Sequence, residues 1–276
     1  MPRQLRYNTS MKITSRQNEK VKNLLKLKMK KYRDKTGKML IEGFYPITFA
    51  YHNNYPMDEL YACPVLFRDK FENEPLIEKC KQRGTTIIEV TENVFKKFSN
   101  YESPEGLLAV AAQRHNLLSN YTPSKKGFYI IIESIEKLGN LGAIFRLADN
   151  AGATGIIVCD ARADIFNPEV IRTSVGTFFS INIWESSTQE TISWCKENNI
   201  KILATTPSAT ENYTKIDMTE PLAIIMGAEY AGLSSKWLEN ADFPIKIPMF
   251  GQANSLSVSA STAIVAYEVV RQRIGS

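Results

Sequence analysis

From Phe128 onward the chain alternates short apolar runs with longer amphipathic stretches: Phe128 to Glu133, Gly155 to Cys159, Phe179 to Ile183, Ile200 to Ala204, Leu222 to Met226 and Ile245 to Ile247. Runs that are short, continuous and apolar read as strands buried on both faces. The stretches between them suit crossover helices, so the pattern predicts an α/β region on a mostly parallel sheet. The first half has a different rhythm. Val21, Leu24 and Leu25 recur at helical spacing after Ser15, which predicts a helix over about Arg16 to Tyr32 capped by Ser15. An IEGFYPI segment (Ile41 to Ile47), strands at Glu59 to Cys63 and Thr86 to Val90, and a helix near Pro75 to Arg83 follow. A helix capped by Thr91 and a last buried strand at Leu107 to Ala112 complete a small α/β unit. The segment NLLSNYTPSKKG, Asn116 to Gly127, carries Asn, Ser, Pro and Gly without periodicity and reads as a linker. The expected division is therefore a first domain over 1–115, a linker over 116–127 and a second domain over 128–276, with no internal repeat.

Charge adds a function class to this outline. The formal net charge of the 276 residues is +5, yet residues 1–40 hold thirteen Lys or Arg against only Glu19 and Asp34, a local net of +11. A basic face at one end is the footprint of a nucleic-acid binder, and its simpler alternative is a solvated Lys-rich helix. Arg16, Lys20, Lys22, Lys26, Lys28, Lys30 and Lys31 are the candidate RNA contacts. The four cysteines are scattered without a C-x-x-C pair and the only histidines are His52 and His115, which disfavours zinc, disulfides and His-based catalysis. No apolar run approaches the roughly 18 residues of a membrane span. The start, MPRQLRYNTSMK, lacks a secretory signal's apolar stretch, so a soluble, cytoplasmic protein is expected.

Three Gly-bearing junctions follow strands, where ligands gather in open parallel sheets. The first, after Phe128 to Glu133, places Gly139, Asn140 and Gly142 in a turn before a helix carrying Arg146. Backbone N–H groups there favour an anion that Arg146 could reach; alternatively the glycines only turn the chain and Arg146 pairs with Asp149 or Glu133. The second, IIMGAEYAGLS, sets Gly227, Glu229 and Gly232 after another strand. Glu229 either orients a ligand group or faces solvent as an ordinary loop carboxylate. The third, IPMFGQANSLSVSASTAIVAYEVVRQR, crowds Asn254, Ser255, Ser257, Ser259, Ser261 and Thr262 around the start of the final helix. That is more than capping needs, although capping and small-residue packing are the plain alternative.

These three motifs, in this order, resemble those of the SpoU or TrmH family of RNA ribose 2′-O-methyltransferases, within the SPOUT class. NPEVIRTSVGTFFSI (Asn167 to Ile181) is similar to the segment between the first two, and the likeness spans about Phe128 to Arg273. The first part of the chain, through ITSRQNEKVKNLLKLK, looks like the substrate-binding domain of members that act on ribosomal RNA. The resemblance implies a trefoil-knotted α/β domain, usually in a homodimer, holding S-adenosylmethionine with backbone around Thr205, Gly227, Ile247 and Leu256. It implies catalytic-site roles for Asn140, Arg146, Glu229 and Ser255. Ser257 stands where many members carry Asn and joins the same set with a shorter-reaching hydroxyl. The expected activity is 2′-O-methylation of a ribose in 23S rRNA. The layout is also similar to members conferring resistance to ribosome-targeting antibiotics such as avilamycin and thiostrepton, an expectation that concerns drug binding to the ribosome. A tRNA ribose methyltransferase and a catalytically silent RNA-binding or ribosome-assembly protein are the rival expectations.

Overall fold

The computed structural model describes residues 11–274, which divide into two compact units. One runs through Arg114 and takes in Ile165–Ser180; the other holds His115–Asp164 and the chain from Ile181 onward.

The first unit is built on β1 (Met11–Ile13), α1 (Glu19–Leu27), α2 (Lys30–Thr36), β2 (Lys38–Glu42), α3 (Phe44–His52), β3 (Met57–Ala62), α4 (Lys70–Gln82), β4 (Thr86–Val90), α5 (Glu92–Phe98) and β5 (Leu107–Ala112). Its sheet has the order β1-β4-β3-β5-β2, parallel across β1-β4-β3 and antiparallel where β5 meets β3 and β2. Val21, Leu24 and Leu27 of α1 pack with Leu40, Tyr61, Leu108 and Val110 of the sheet and with Phe95 and Phe98 of α5 in one buried cluster.

The single helix expected over Arg16 to Tyr32 is two helices. Asn18, not Ser15, caps α1, accepting from the Lys20 amide at 2.9 Å, while Ser15 makes its bonds one turn earlier. The chain then turns extended at Met29, whose ψ is 129°. The break is stabilised from inside: the buried Arg33 guanidinium donates to the Leu27 and Lys28 carbonyls at 2.9 and 2.7 Å, satisfying oxygens that a continuous helix would have used. Other boundaries shift for local reasons. Asp69 caps α4 through the Phe71 and Glu72 amides, so that helix starts five residues before Pro75. The Ile41 to Ile47 segment splits at Gly43, whose φ of 105° lets β2 turn directly into α3.

The second unit comprises β6 (Phe128–Glu133), α6 (Leu138–Asn150), β7 (Gly155–Cys159), β8 (Asn182–Ser186), α8 (Thr188–Glu197), β9 (Lys201–Thr205), β10 (Glu211–Asn212), β11 (Leu222–Met226), α9 (Ser235–Asn240), β12 (Phe243–Lys246) and α10 (Val258–Ile274); between β7 and β8, α7 (Pro168–Thr173) belongs to the first unit. All seven strands are parallel, in the order β10-β12-β9-β11-β6-β7-β8. The whole of β6 and of β11 is buried, as unbroken apolar runs require. The chain steps outward from β6 to β7 and β8, then crosses to the other side of β6, so the connections diverge between β6 and β11. Crevices at such a switch point, outside the carboxyl ends of the strands, are where ligands bind.

The strand expected at Phe179 to Ile183 lies three residues later. Gly176, at φ 93°, starts a short 3-10 turn over Thr177–Phe179, and Phe179 packs edge-on against Tyr55 at 4.9 Å within the first unit, which keeps those residues out of the sheet. The last strand ends at Lys246 rather than Ile247. Residues 116–127, read as a linker, lie in the second unit: Asn116 bridges Trp184, and Tyr121 packs at a tilt against that indole, ring centres 4.6 Å apart.

Arg33→Leu is expected to leave the Leu27 and Lys28 carbonyls without these donors. The buried Leu27 acceptor so orphaned costs roughly 1–3 kcal/mol, and the part-buried Lys28 acceptor less. Urea unfolding followed by circular dichroism should show a lower midpoint with an unchanged slope.

Candidate active site

A cavity of about 410 Å³ opens in the second unit where β9, β11 and β12 end and α6 and α10 begin. Three loops wall it. The loop after β11 supplies Gly227, Glu229 and Tyr230; the loop after β12 supplies Ile247 and Ser255 to Ser257; and the start of α6 supplies Lys137 and Asn140.

Glu229 ties two of these loops together. Its Oε1 accepts from the Asn140 amide nitrogen at 3.0 Å and the Lys137 backbone N–H at 3.2 Å, and its Oε2 accepts from the Glu136 N–H at 3.3 Å. The carboxylate thus occupies the N-terminal end of α6, where orphan amides and the helix dipole favour a negative charge. Partial burial pushes its pKa up, but the Asn140 bond, its own backbone amide and the Glu136 and Lys137 amides together outweigh burial and hold it below the ordinary 4.5. The third loop joins through Asn140: its carbonyl oxygen accepts from the Ser259 hydroxyl at 3.3 Å, and Ser259 is paired with Ser257 at 3.3 Å. Ser257 also accepts from the Ala260 amide at 3.3 Å, so it caps α10 while facing the cavity. One polar chain, Glu229–Asn140–Ser259–Ser257, therefore links all three junctions.

The loop after β11 has little freedom to be otherwise. A Cβ on Gly227 would lie 2.2 Å from the Gly232 carbonyl carbon, because Ala228 and Gly232 pair across a tight turn. The turn is anchored from behind by Glu133 at the end of β6, whose carboxylate accepts from the Ser234 N–H at 2.8 Å and the Thr188 hydroxyl at 3.1 Å. Glu133 is therefore a support for the site rather than the partner of Arg146.

The expected cofactor residues Thr205, Gly227, Ile247 and Leu256 all line the cavity, as do Asn140, Glu229, Ser255 and Ser257. Thr205 is the informative one, because its buried hydroxyl has no hydrogen-bond partner within the protein. A buried orphan oxygen costs free energy unless a ligand or water meets it. Beside it, Met226, Ile247 and Leu256 give the cavity apolar surface. A ligand with a flat ring, hydroxyls and a charged end fits such a lining, and S-adenosylmethionine is of that kind.

Arg146 is not brought to this cavity. It is exposed on α6, and six residues at about 100° each carry it roughly 120° around the helix from Asn140. Lys137 is the cation that the cavity does hold, its ammonium 5.4 Å from the Tyr230 ring centre. Sequence reading passed over Lys137, took Glu133 only as a candidate partner of Arg146, and missed the specific role of Ser259, at which only the hydroxyl crowding hinted.

The basic candidates all belong to the first unit. Arg16 donates to the Asn93 carbonyl at 3.0 Å, Lys28 to the Ser99 carbonyl at 2.7 Å, and Lys20 is bonded to Glu59. Lys22 and Lys30 pair along their helices with Glu19 and Asp34, both at 2.7 Å, while Lys26 and Lys31 are exposed. The exposed pairs of Lys22 and Lys30 are of a kind that contributes little to stability.

Residues 127–267 match the model of the SpoU rRNA Methylase family, slightly more than half of the chain. The chain belongs to this family. Residues 18–109 match an MRM3-like substrate binding domain, the arrangement that the two sheets suggest. Among SpoU relatives, the chain is similar to a 23S rRNA (guanosine(2553)-2′-O)-methyltransferase of Bacillus subtilis strain 168, at 30% identity over 93% of this chain and 98% of that protein. It superposes on an RNA 2′-O ribose methyltransferase with a TM-score of 0.83 at 36% identity, covering 96% and 100% of the two chains. An AdoMet-bound rRNA methyltransferase from Sinorhizobium meliloti gives 0.86 at 29% identity, over 94% and 97%. No helix among the described residues is long and apolar enough to cross a membrane.

Because the Glu229 pKa is lowered on folding, its bonds contribute fully above pH 4.5 and are lost as pH falls through the lowered value. Hydrogen exchange at the Glu136 and Lys137 amides should therefore be protected near pH 6 and lose protection in acid. In Glu229→Ala that protection should be absent at both, with the sheet amides unchanged.

Proposed function

We propose that this chain is an S-adenosylmethionine-dependent methyltransferase that methylates the 2′-hydroxyl of a ribose in 23S rRNA. The observation that carries the reading is the convergence of three Gly- and hydroxyl-bearing loops on one cavity, joined through Glu229 and Asn140, with the Thr205 hydroxyl left for a ligand. The 23S rRNA assignment draws on the Bacillus subtilis relative, matched over nearly its whole length, and on the basic first unit.

When bound, S-adenosylmethionine supplies an electrophilic sulfonium methyl. Thr205, Gly227, Ile247 and Leu256 would hold it: Thr205 through its hydroxyl, Gly227 by letting backbone approach closely, Ile247 and Leu256 by excluding water. Glu229 and Asn140 keep the loops preorganised, so ordering them costs nothing at the moment of reaction. Ser255 and Ser257 face the cavity with hydroxyls that accept and donate. Lys137, an ammonium at the rim, suits a phosphate of the RNA backbone. Arg146 is assigned to the substrate phosphate rather than to proton removal, because a guanidinium with a pKa above about 12 is a poor base. Its position away from the cavity is consistent with a role completed by a second copy of the chain.

We take the working form to be a homodimer, to which Tyr267 and Ile274, exposed on α10, contribute apolar surface. The 247–257 segment is assigned the trefoil threading of the family; α10 returns from β12 to pack on α6 and β11, as such threading requires. A ribosomal-RNA substrate supports a cytoplasmic home. The silent-binder reading draws on Ser257 and on the placement of Arg146, and cofactor turnover separates the two.

Labelled methyl from S-adenosylmethionine should appear on one ribose of protein-free 23S rRNA, or of the large subunit, and not on tRNA, with nuclease digestion locating it. Arg146→Ala should lower kcat/KM by on the order of a hundredfold if it holds the phosphate beside the reacting ribose. Near-normal turnover in that variant would remove Arg146 from the mechanism, and label on tRNA would reassign the substrate.

A further inference from the structure

The break between α1 and α2 leaves a hollow of about 290 Å³ in the first unit. Its floor is the apolar cluster that holds the unit together, with Leu24 and Leu27 from α1 and Val110 and Tyr61 from the sheet all buried beneath it. Tyr32 of α2 forms a wall, so the hollow exists only because the chain turns at Met29 instead of continuing as one helix. Lys20, Lys26 and Lys38 line it as well, and of these Lys26 is exposed. An apolar and aromatic seat beside ammonium groups suits a flat ring that carries an anionic tail, which is the chemistry of a nucleotide.

Glu59 decides which base such a seat would accept. It lines the hollow and is held at both oxygens: Lys20 is bonded to Oε1, and the Tyr61 hydroxyl donates to Oε2 at 2.6 Å. An ionised carboxylate only accepts hydrogen bonds, and each oxygen has a further lone pair to offer. Guanine presents two adjacent donors, N1–H and the N2 amino group, that match a carboxylate side by side. Uracil presents one N–H flanked by two carbonyl oxygens, which a carboxylate repels.

We propose that this hollow is a guanine-nucleotide subsite for the RNA substrate, separate from the methyl-transfer cavity, in which Glu59 accepts from the guanine donor edge and Lys26 meets the phosphate. It rests on the reading of the chain as acting on RNA and adds a base that the first unit recognises apart from the ribose that is methylated. The helix break then has a purpose in recognition beyond packing. Positions where a local sequence pattern is overridden are often sites of function.

The test is methyl-detected NMR of the full chain, labelled at Leu and Val methyls and titrated with GMP, UMP, guanosine and inorganic phosphate. GMP should shift the Leu24, Leu27 and Val110 methyls in a saturable way, about tenfold more tightly than UMP. Glu59→Gln should remove the preference for GMP over UMP. Lys26→Glu, a change at an exposed position that leaves the fold intact, should weaken GMP while leaving guanosine unchanged. Equal shifts with GMP and UMP, the same shifts from phosphate alone, or a full preference retained in Glu59→Gln would each overturn the subsite.

Methyl transfer by the same variants keeps the two readings apart. Glu59→Gln should raise the KM for rRNA while leaving kcat and S-adenosylmethionine affinity unchanged. A wild-type chain that transfers methyl to rRNA but shows no GMP-dependent shift at these methyls would sink the subsite alone. One that binds GMP here but transfers no methyl to any RNA would sink the methyltransferase reading and leave the subsite standing.

Discussion

The Glu229 carboxylate, set against the N-terminal amides of α6 and the Asn140 side chain, is the contact on which the site depends. The sheet delivers three strand ends to one edge, but nothing in strand pairing fixes the loops beyond them. Glu229 does so by satisfying donors that a helix start must leave open, and by the same act it orients Asn140, whose carbonyl oxygen then faces Ser259 and the start of α10. The single acceptor oxygen of a glutamine at position 229 could meet at most two of these donors; the carboxylate accepts from all three.

Behind this network the packing is unforgiving. Gly227 is pressed against the Gly232 turn, Glu133 holds that turn to β6, and the buried strands β6 and β11 allow no side-chain adjustment beneath it. The rigid floor lets a few modest hydrogen bonds hold the loops in place, and beside them the buried Thr205 hydroxyl has no hydrogen-bond partner within the protein. The polar chain through Asn140 and the two serines is short, and it joins three loops that strand pairing alone leaves unlinked.

The parallel sheet was legible because its strands are continuous apolar runs, and β6, β7 and β11 fall where the pattern puts them. The three junctions were legible because Gly, Asn and hydroxyl residues exceed what turns and caps need. Other features had no local signature. The break at Met29 depends on Arg33 reaching back to two carbonyls, a tertiary contact that helical spacing hides. The late start of β8 depends on Phe179 packing against Tyr55, more than a hundred residues earlier in the chain. Glu133 looked like the last residue of an apolar strand, and only the fold brings Ser234 and Thr188 to it. Arg146 lies about one turn beyond Gly142 as its spacing implies, and helical phase sets it apart from Asn140, outside the lining of the cavity.

The most direct test of this account is a double-mutant cycle on Asn140 and Glu229, read out as S-adenosylmethionine affinity by calorimetry. If their hydrogen bond orders the cofactor loops, Asn140→Ala and Glu229→Ala should each weaken binding, and the double variant should lose less than the sum, with a coupling of roughly 1 kcal/mol after solvent screening. Strictly additive losses, or affinity unchanged in both single variants, would contradict the claim that this contact preorganises the site.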